Sequence, residues 1–155
     1  MDAHISAIRQ YAVQCLQDEA QALLDLIPQL DDNIEKAVEM MYRCHGKVIV
    51  TGVGKSGNVG AKIAATLSST GTPAFFMHPG EAFHGDLGMV TENDVVIAIS
   101  NSGESTEVVN ILPIIRRIGA TIIAMSGRRD SQLGKAADHF VDIGVEREAC
   151  PLGLA

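Results

Sequence analysis

The chain has 155 residues, 46% of them hydrophobic and 20% charged, which is one domain's worth of ordinary globular polymer with enough length to bury a core. No apolar run approaches the ~18 residues a membrane span needs, and Met1-Asp2-Ala3-His4 lacks the basic-then-apolar order of a secretory signal. The formal net charge of -7 argues against nucleic acid or an anionic membrane as partner, and three scattered cysteines, Cys15, Cys44 and Cys150, argue for a reducing, cytoplasmic setting without disulfides.

In chain order, residues 3–27 carry Ile5, Ile8, Ala12, Cys15, Leu16, Leu23, Leu26 and Ile27 at helical spacing, and Pro28 ends that helix. Asp32 and Asn33 are suited to cap a second helix running to about Cys44, with Ile34, Ala37, Val38, Met41 and Tyr42 as its apolar stripe. The period then changes to β-branched runs at 47–51, 74–77, 95–99 and 121–125, with a weaker one at 139–143. Helical segments lie between them near 57–69, 105–118 and 131–137. Strands that are apolar throughout belong to a sheet covered on both faces, which is typically parallel. Alternation with helices therefore predicts a three-layer α/β/α sandwich around a five-stranded parallel sheet. The whole chain, 1–155, reads as one domain, with the helices of 1–44 packing on it or forming a seam between subunits. The last strand has no closing helix after it, so a fragment of a longer chain is expected.

Ligands of such sheets sit beyond the carboxyl ends of the strands. Two loops there look built for an anion, which an acidic chain would hold with helix N-terminal N–H groups. The first is Gly52-Val53-Gly54-Lys55-Ser56-Gly57. It fails the P-loop pattern, since Ile49 stands where glycine is required. It meets GxGxxG formally, but His78 stands where a dinucleotide site expects an acid, and Lys55 sits inside the fingerprint. The second is Ser100-Asn101-Ser102-Gly103-Glu104-Ser105-Thr106-Glu107. Ser105 or Thr106 serves as an N-cap, and the remaining hydroxyls are suited to donate to a bound oxyanion.

These loops, together with Ser69-Thr70-Gly71-Thr72-Pro73-Ala74-Phe75-Phe76, His78-Pro79, His84-Gly85-Asp86-Leu87-Gly88-Met89 and Glu146-Arg147-Glu148-Ala149-Cys150-Pro151-Leu152, resemble the arabinose 5-phosphate isomerases, a branch of the sugar-isomerase (SIS) superfamily. The resemblance runs from about residue 45 to the end, and more loosely through the N-terminal helices. It implies the SIS fold and interconversion of D-ribulose 5-phosphate and D-arabinose 5-phosphate, which in the family feeds synthesis of the eight-carbon acid Kdo of bacterial lipopolysaccharide or capsule. It also implies a homotetramer. It further implies more of the catalytic domain beyond residue 155, including a catalytic histidine, and in many members two CBS modules.

Aldose–ketose isomerisation needs a base beside the carbonyl, a stabiliser for the enediolate oxygen and a phosphate clamp remote from the reacting carbons. Glu148 follows the last strand and matches a catalytic glutamate of the family; a desolvated glutamate suits proton transfer near neutrality. Lys55 is a point charge suited to enediolate or phosphate. Glu107 lies in a first helical turn, where carboxylates also serve as plain caps; the resemblance gives it a catalytic position. His84 is suited to opening the sugar ring or orienting a hydroxyl. Gly54, Ser56, Ser100, Asn101, Ser102, Ser105 and Thr106 are the expected phosphate and substrate contacts, and by resemblance so are Gly71 and Thr72. The chemistry requires no cofactor. The resemblance implies a zinc ligand at His78, read as inhibitory or adventitious. Two other readings remain open: a non-catalytic SIS module that binds a phosphosugar and regulates a partner, and an isomerase of another phosphosugar.

Overall fold

The computed structural model describes residues 2–145 and 150, with side chains from Ala7 onward. Glu148, the expected base, lies outside the described residues. The chain divides into two compact units, one formed by residues up to Leu30 with those from Gly144 onward, the other by Asp31–Ile143.

In the first unit, α1 (Asp2–Leu26) runs 25 residues and passes into a 3₁₀ turn, Ile27–Gln29, that contains Pro28. Its Ile8, Tyr11, Leu16, Leu23 and Leu24 are exposed. Gln14–Asp18 and Gln21–Asp25 hydrogen bonds brace the polar side at helical spacing.

In the second unit, α2 (Asp32–Tyr42) leads into a sheet of β1 (Val48–Gly52), β2 (Ala74–Phe76), β3 (Val95–Ile99), β4 (Thr121–Ser126) and β5 (His139–Asp142). The order is β2-β1-β3-β4-β5 and every pairing is parallel. The connecting helices are α3 (Gly54–Ser69), α4 (Pro79–Ala82), α5 (Thr106–Ile118) and α6 (Gln132–Ala136), with a 3₁₀ turn at Asp86–Met89. The expected fold is therefore the observed one. Alternate strand residues feed two cores. Ile49, Val96, Ala98, Ile122 and Ala124 pack with Val108, Ile111, Leu112 and Ile115 of α5 on one face. Val48, Val50, Val95, Ile97 and Ile123 pack with Ala37 of α2 and Ala64 of α3 on the other. The period-2 geometry of a strand turns a continuous apolar run into two buried surfaces.

Local details depart from the sequence expectation. Asp31, not Asp32 or Asn33, caps α2, its carboxylate accepting from the Asn33 N–H. That bond holds the Asp31 carboxyl below the usual carboxylate range. Helix α2 stops at Tyr42, and the segment after β2, expected only as a Gly-rich loop, folds into α4 and the 3₁₀ turn.

The amino edge of the sheet is tied by Asp94, which is buried. Its carboxylate accepts from the backbone N–H of Lys47 and of Thr91, and its Oδ2 lies 3.0 Å from the Lys47 ammonium. Burial works against ionisation, but these bonds outweigh it and hold the Asp94 carboxyl below its ordinary value. Thr51 is the opposite case, a buried hydroxyl with no hydrogen-bond partner among the described residues.

Asp94→Ala is expected to destabilise by about 3 kcal/mol, because it orphans two buried amides and an ammonium. Because the folded carboxyl titrates below the unfolded one, the stability it contributes is complete above about pH 5 and drains away as pH falls through its folded value. Denaturant melts of wild type and variant from pH 7 to pH 3 should therefore converge toward the acid end. Thr51→Val, by contrast, should raise stability by about 1 kcal/mol in the same assay, since it removes a polar group that makes no bond.

Candidate functional site

In an open parallel sheet, consecutive right-handed crossovers that run in opposite directions place their helices on opposite faces. Here the reversal falls between β1 and β3, so α3 and α5 begin side by side at the carboxyl edge. The register puts Gly52 and Ile99, the last residues of β1 and β3, opposite one another. The two loops singled out in the sequence therefore leave neighbouring strand ends, about 5 Å apart.

What distinguishes these two helices is the state of their first turns. Helices α2, α4 and α6 are each capped by a side chain, Asp31, His78 and Ser131 respectively. Helices α3 and α5 have no side-chain cap. The first N–H groups of a helix have no partner within it, so at α3 and α5 they point toward the strand reversal with their share of the helix dipole. Lys55, Ser56, Thr106 and Glu107 occupy those first turns. Gly57 lets α3 start this close to the strand: a Cβ there would press on the Gly52 carbonyl oxygen.

The serine loop is more ordered than its composition suggests. Ser105 is the N-cap residue of α5, yet its hydroxyl does not cap; it lies 2.9 Å from the Ser100 hydroxyl. Ser100 is buried, and its Oγ also accepts from the Gly103 N–H at 3.1 Å. Ser100 thus shapes the loop from inside, whereas Asn101, Ser102, Thr106 and Glu107 are exposed on it. The Ser102 hydroxyl accepts from the Glu104 N–H at 3.2 Å, which leaves its proton directed elsewhere. Gly103 has φ of 67°, and a Cβ on it would collide with Ser131. The β4–α6 segment is the floor on which the loop rests.

His78 and His84 also lie at this edge, just after β2. His84 is exposed in the turn following α4. His78 Nδ1 accepts from the Gly80 N–H at 3.1 Å, which fixes the neutral tautomer with its proton on Nε2. A metal at Nδ1 would have to displace that cap, and one at Nε2 would require the other tautomer. Among the described residues no group of three or more His, Cys, Asp or Glu side chains is arranged to hold a metal ion. Among the described residues His78 is therefore not part of a built metal centre.

Gly71 and Thr72 are not brought to this edge. They precede β2, at the amino end of a parallel sheet, so a strand's length of roughly 17 Å separates them from the loops in this chain. There they line a recess of about 280 Å³ with Met41, Tyr42, Cys44 and Lys47. The residues that sequence reasoning passed over are Ser126, Ser131 and Gln132. Only Ser131 left a signal, as a serine directly ahead of a helical segment.

The SIS domain family matches residues 40–155. The arabinose 5-phosphate isomerase KdsD of Yersinia pestis is 54% identical over 95% of this chain and 45% of its own length. That of Escherichia coli K12 is 51% identical over the same shares. The chain thus spans about half the length of the curated relatives it matches. Among solved structures, an Escherichia coli CFT073 protein in complex with arabinose 5-phosphate superimposes with a TM-score of 0.92 at 41% identity, over 97% of this chain and 80% of that one. The sugar isomerase domain of an RpiR transcription factor from Sphaerobacter thermophilus gives 0.75 at 25% identity, over 92% and 82%. No helix among the described residues is long and apolar enough to cross a membrane.

Gly103→Ala is expected to cost about 3 kcal/mol in thermal unfolding, combining left-handed backbone strain with the collision against Ser131. Gly71→Ala, also at positive φ but with nothing near its Cβ, should cost only about 1 kcal/mol. Equal losses in the two variants would show that the floor contact carries no weight.

Proposed function

The chain belongs to the SIS-domain family, and we propose that it forms the phosphosugar-binding part of an isomerase that interconverts D-ribulose 5-phosphate and D-arabinose 5-phosphate. The single observation that carries the reading is the pair of helix N-termini without side-chain caps, adjacent at the strand reversal, with a lysine in one first turn and a glutamate in the other. An uncapped N-terminus is an anion receptor. A carboxylate beside that receptor hinders anion binding unless it has chemistry to perform, which favours an enzyme over a sensor.

In the proposed mechanism the phosphate is held by the amides of the serine loop and α5, with hydroxyls of Ser102, Ser105 and Thr106 donating to its oxygens. Asn101 borders this clamp, while Ser100 supports it from below. Gly54 and Ser56 add the first-turn amides of α3. In the reverse direction His84, at the neighbouring edge, assists opening of the arabinose 5-phosphate furanose by exchanging a proton with its anomeric hydroxyl; ribulose 5-phosphate is already open-chain. A carboxylate, Glu148 by resemblance, removes a proton from C1 of ribulose 5-phosphate. The electron pair flows into the C2 carbonyl, and the resulting enediolate oxygen is stabilised by the Lys55 ammonium. Return of that proton to C2, with the C1 hydroxyl proton passing to the C2 oxygen, gives the aldose. Glu107 is the second carboxylate for these transfers. The phosphate grip is remote from C1 and C2, so its binding energy orients the reacting carbons.

The same reading carries the biological setting: a cytoplasmic homotetramer that supplies the arabinose 5-phosphate from which Kdo is made for lipopolysaccharide or capsule. Zinc enters only as an inhibitor that competes for His78. Gly71 and Thr72, distant from the loops within one chain, would reach substrate in a neighbouring subunit. The exposed apolar residues of α1 support such assembly.

In the enzyme at its native length, ribulose 5-phosphate incubated in heavy water should give arabinose 5-phosphate carrying deuterium at C2. Absence of exchange would favour the sensor. Glu148→Gln and Lys55→Ala should each retain phosphosugar binding while lowering kcat by about two to four orders of magnitude. A Glu148→Gln enzyme with unchanged turnover would remove that residue from the role of base.

A further inference from the structure

The serine loop and helix α6 are joined by a set of bonds that share one polarity. The first three N–H groups of α6, those of Gln132, Leu133 and Gly134, meet three acceptors. The Gln132 N–H donates to Glu104 Oε1 at 3.1 Å, the Leu133 N–H to the Gly103 carbonyl at 3.0 Å and the Gly134 N–H to the Ser131 hydroxyl at 3.1 Å. The Gln132 amide then donates to Glu104 Oε2 at 2.7 Å. One step back, the Asn101 carbonyl accepts from the Gly127 N–H at 3.0 Å and from the Ser126 hydroxyl at 3.2 Å. In each of these bonds from the floor to loop residues 101–104, the loop supplies the acceptor. Peptide units whose carbonyls are pinned to one side direct their N–H groups to the other.

We infer that Glu104 and Gln132 are positioning residues for the anion site: the Glu104–Gln132 clasp turns the loop's carbonyls and the Glu104 carboxylate toward α6 and aims the Glu104 N–H at the Ser102 hydroxyl oxygen, so that Ser102 presents its own N–H and hydroxyl proton to the phosphate. This rests on the reading of the loop as a phosphate clamp and assigns a task to a carboxylate that would otherwise repel the ligand. The two Gln132 bonds also hold the Glu104 carboxyl below its usual range, so the clasp is charged at neutral pH. The neighbouring Arg128 and Lys135 act in the same direction. Glu104 touches no reacting atom in this scheme; its effect reaches the ligand through the loop.

The test uses the protein at its native length, with titration of inorganic phosphate and steady-state kinetics on ribulose 5-phosphate. Gln132→Glu sets two carboxylates face to face. It should raise the Kd for inorganic phosphate and the KM about tenfold, with kcat at saturation and its pH profile preserved. Exchange of the two side chains, Glu104→Gln with Gln132→Glu, restores a complementary pair at the original formal charge and should bring both constants back to within about threefold of wild type. Gln132→Ala, the gentler variant, should weaken both by about fivefold, in line with the loss of one bond to a charged group. The inference is overturned if Gln132→Ala and Gln132→Glu bind phosphate like wild type. It is equally overturned if the exchanged pair melts normally but binds no better than Gln132→Glu, or if kcat falls while KM stays. A wild-type protein that binds phosphate but isomerises no pentose phosphate would sink the proposed reaction, while the phosphate titrations would still decide the clasp.

Discussion

The site depends on where the sheet changes direction. Once β1 and β3 sit side by side with their connections leading opposite ways, two helices must start at one point, and their first-turn amides must face the same space. The protein leaves those two first turns without side-chain acceptors while supplying them at α2, α4 and α6. An unsatisfied helix start is a liability in isolation. Two of them together suit a multiply charged oxyanion, and under the proposed function this is how a chain of net charge -7 would hold an anionic ligand with one lysine in its first-turn positions.

The two edges of the sheet are built on different terms. At the amino edge, Asp94 gathers two backbone amides and the Lys47 ammonium under a buried carboxylate, a closed arrangement with its donors and acceptors paired. At the carboxyl edge the pairing is incomplete by construction. The serine loop is engaged on its acceptor side by β4 and α6, its Gly103 and Glu104 N–H groups are used within the loop, and Ser102 supplies the donors that remain. Rigidity there comes from the β4–α6 floor beneath Gly103, so the loop can be both glycine-containing and well ordered.

Much of this was legible in the sequence. The β-branched run of β3 marked its bounds, Val95–Ile99, to the residue, because a strand buried on both faces has no polar position to blur it. The cap of α2 was misplaced by one residue because Asp31, Asp32 and Asn33 are all competent caps and only backbone angles choose among them. Helix α4 was invisible because four residues are too few to show a helical period. The loops at the strand reversal followed from the order of elements, but the internal use of Ser100 did not, since composition reveals a hydroxyl and not its partner. The amino-edge position of Gly71 and Thr72 was implicit in a parallel sheet, where the residues just ahead of a strand lie opposite its ligand end. Glu148 falls outside the described residues, so its role rests on resemblance.

Recognition through amides and hydroxyls has a consequence for solution behaviour. Peptide N–H groups and serine or threonine hydroxyls hold their protons throughout the physiological range, so the clamp itself presents the same face to its ligand in mildly acidic and mildly alkaline water. The ligand does not: a phosphate monoester passes from monoanion to dianion near pH ~6. Under the proposed function, the part of the affinity that comes from these amides and hydroxyls would follow the ligand's own speciation on the acid side.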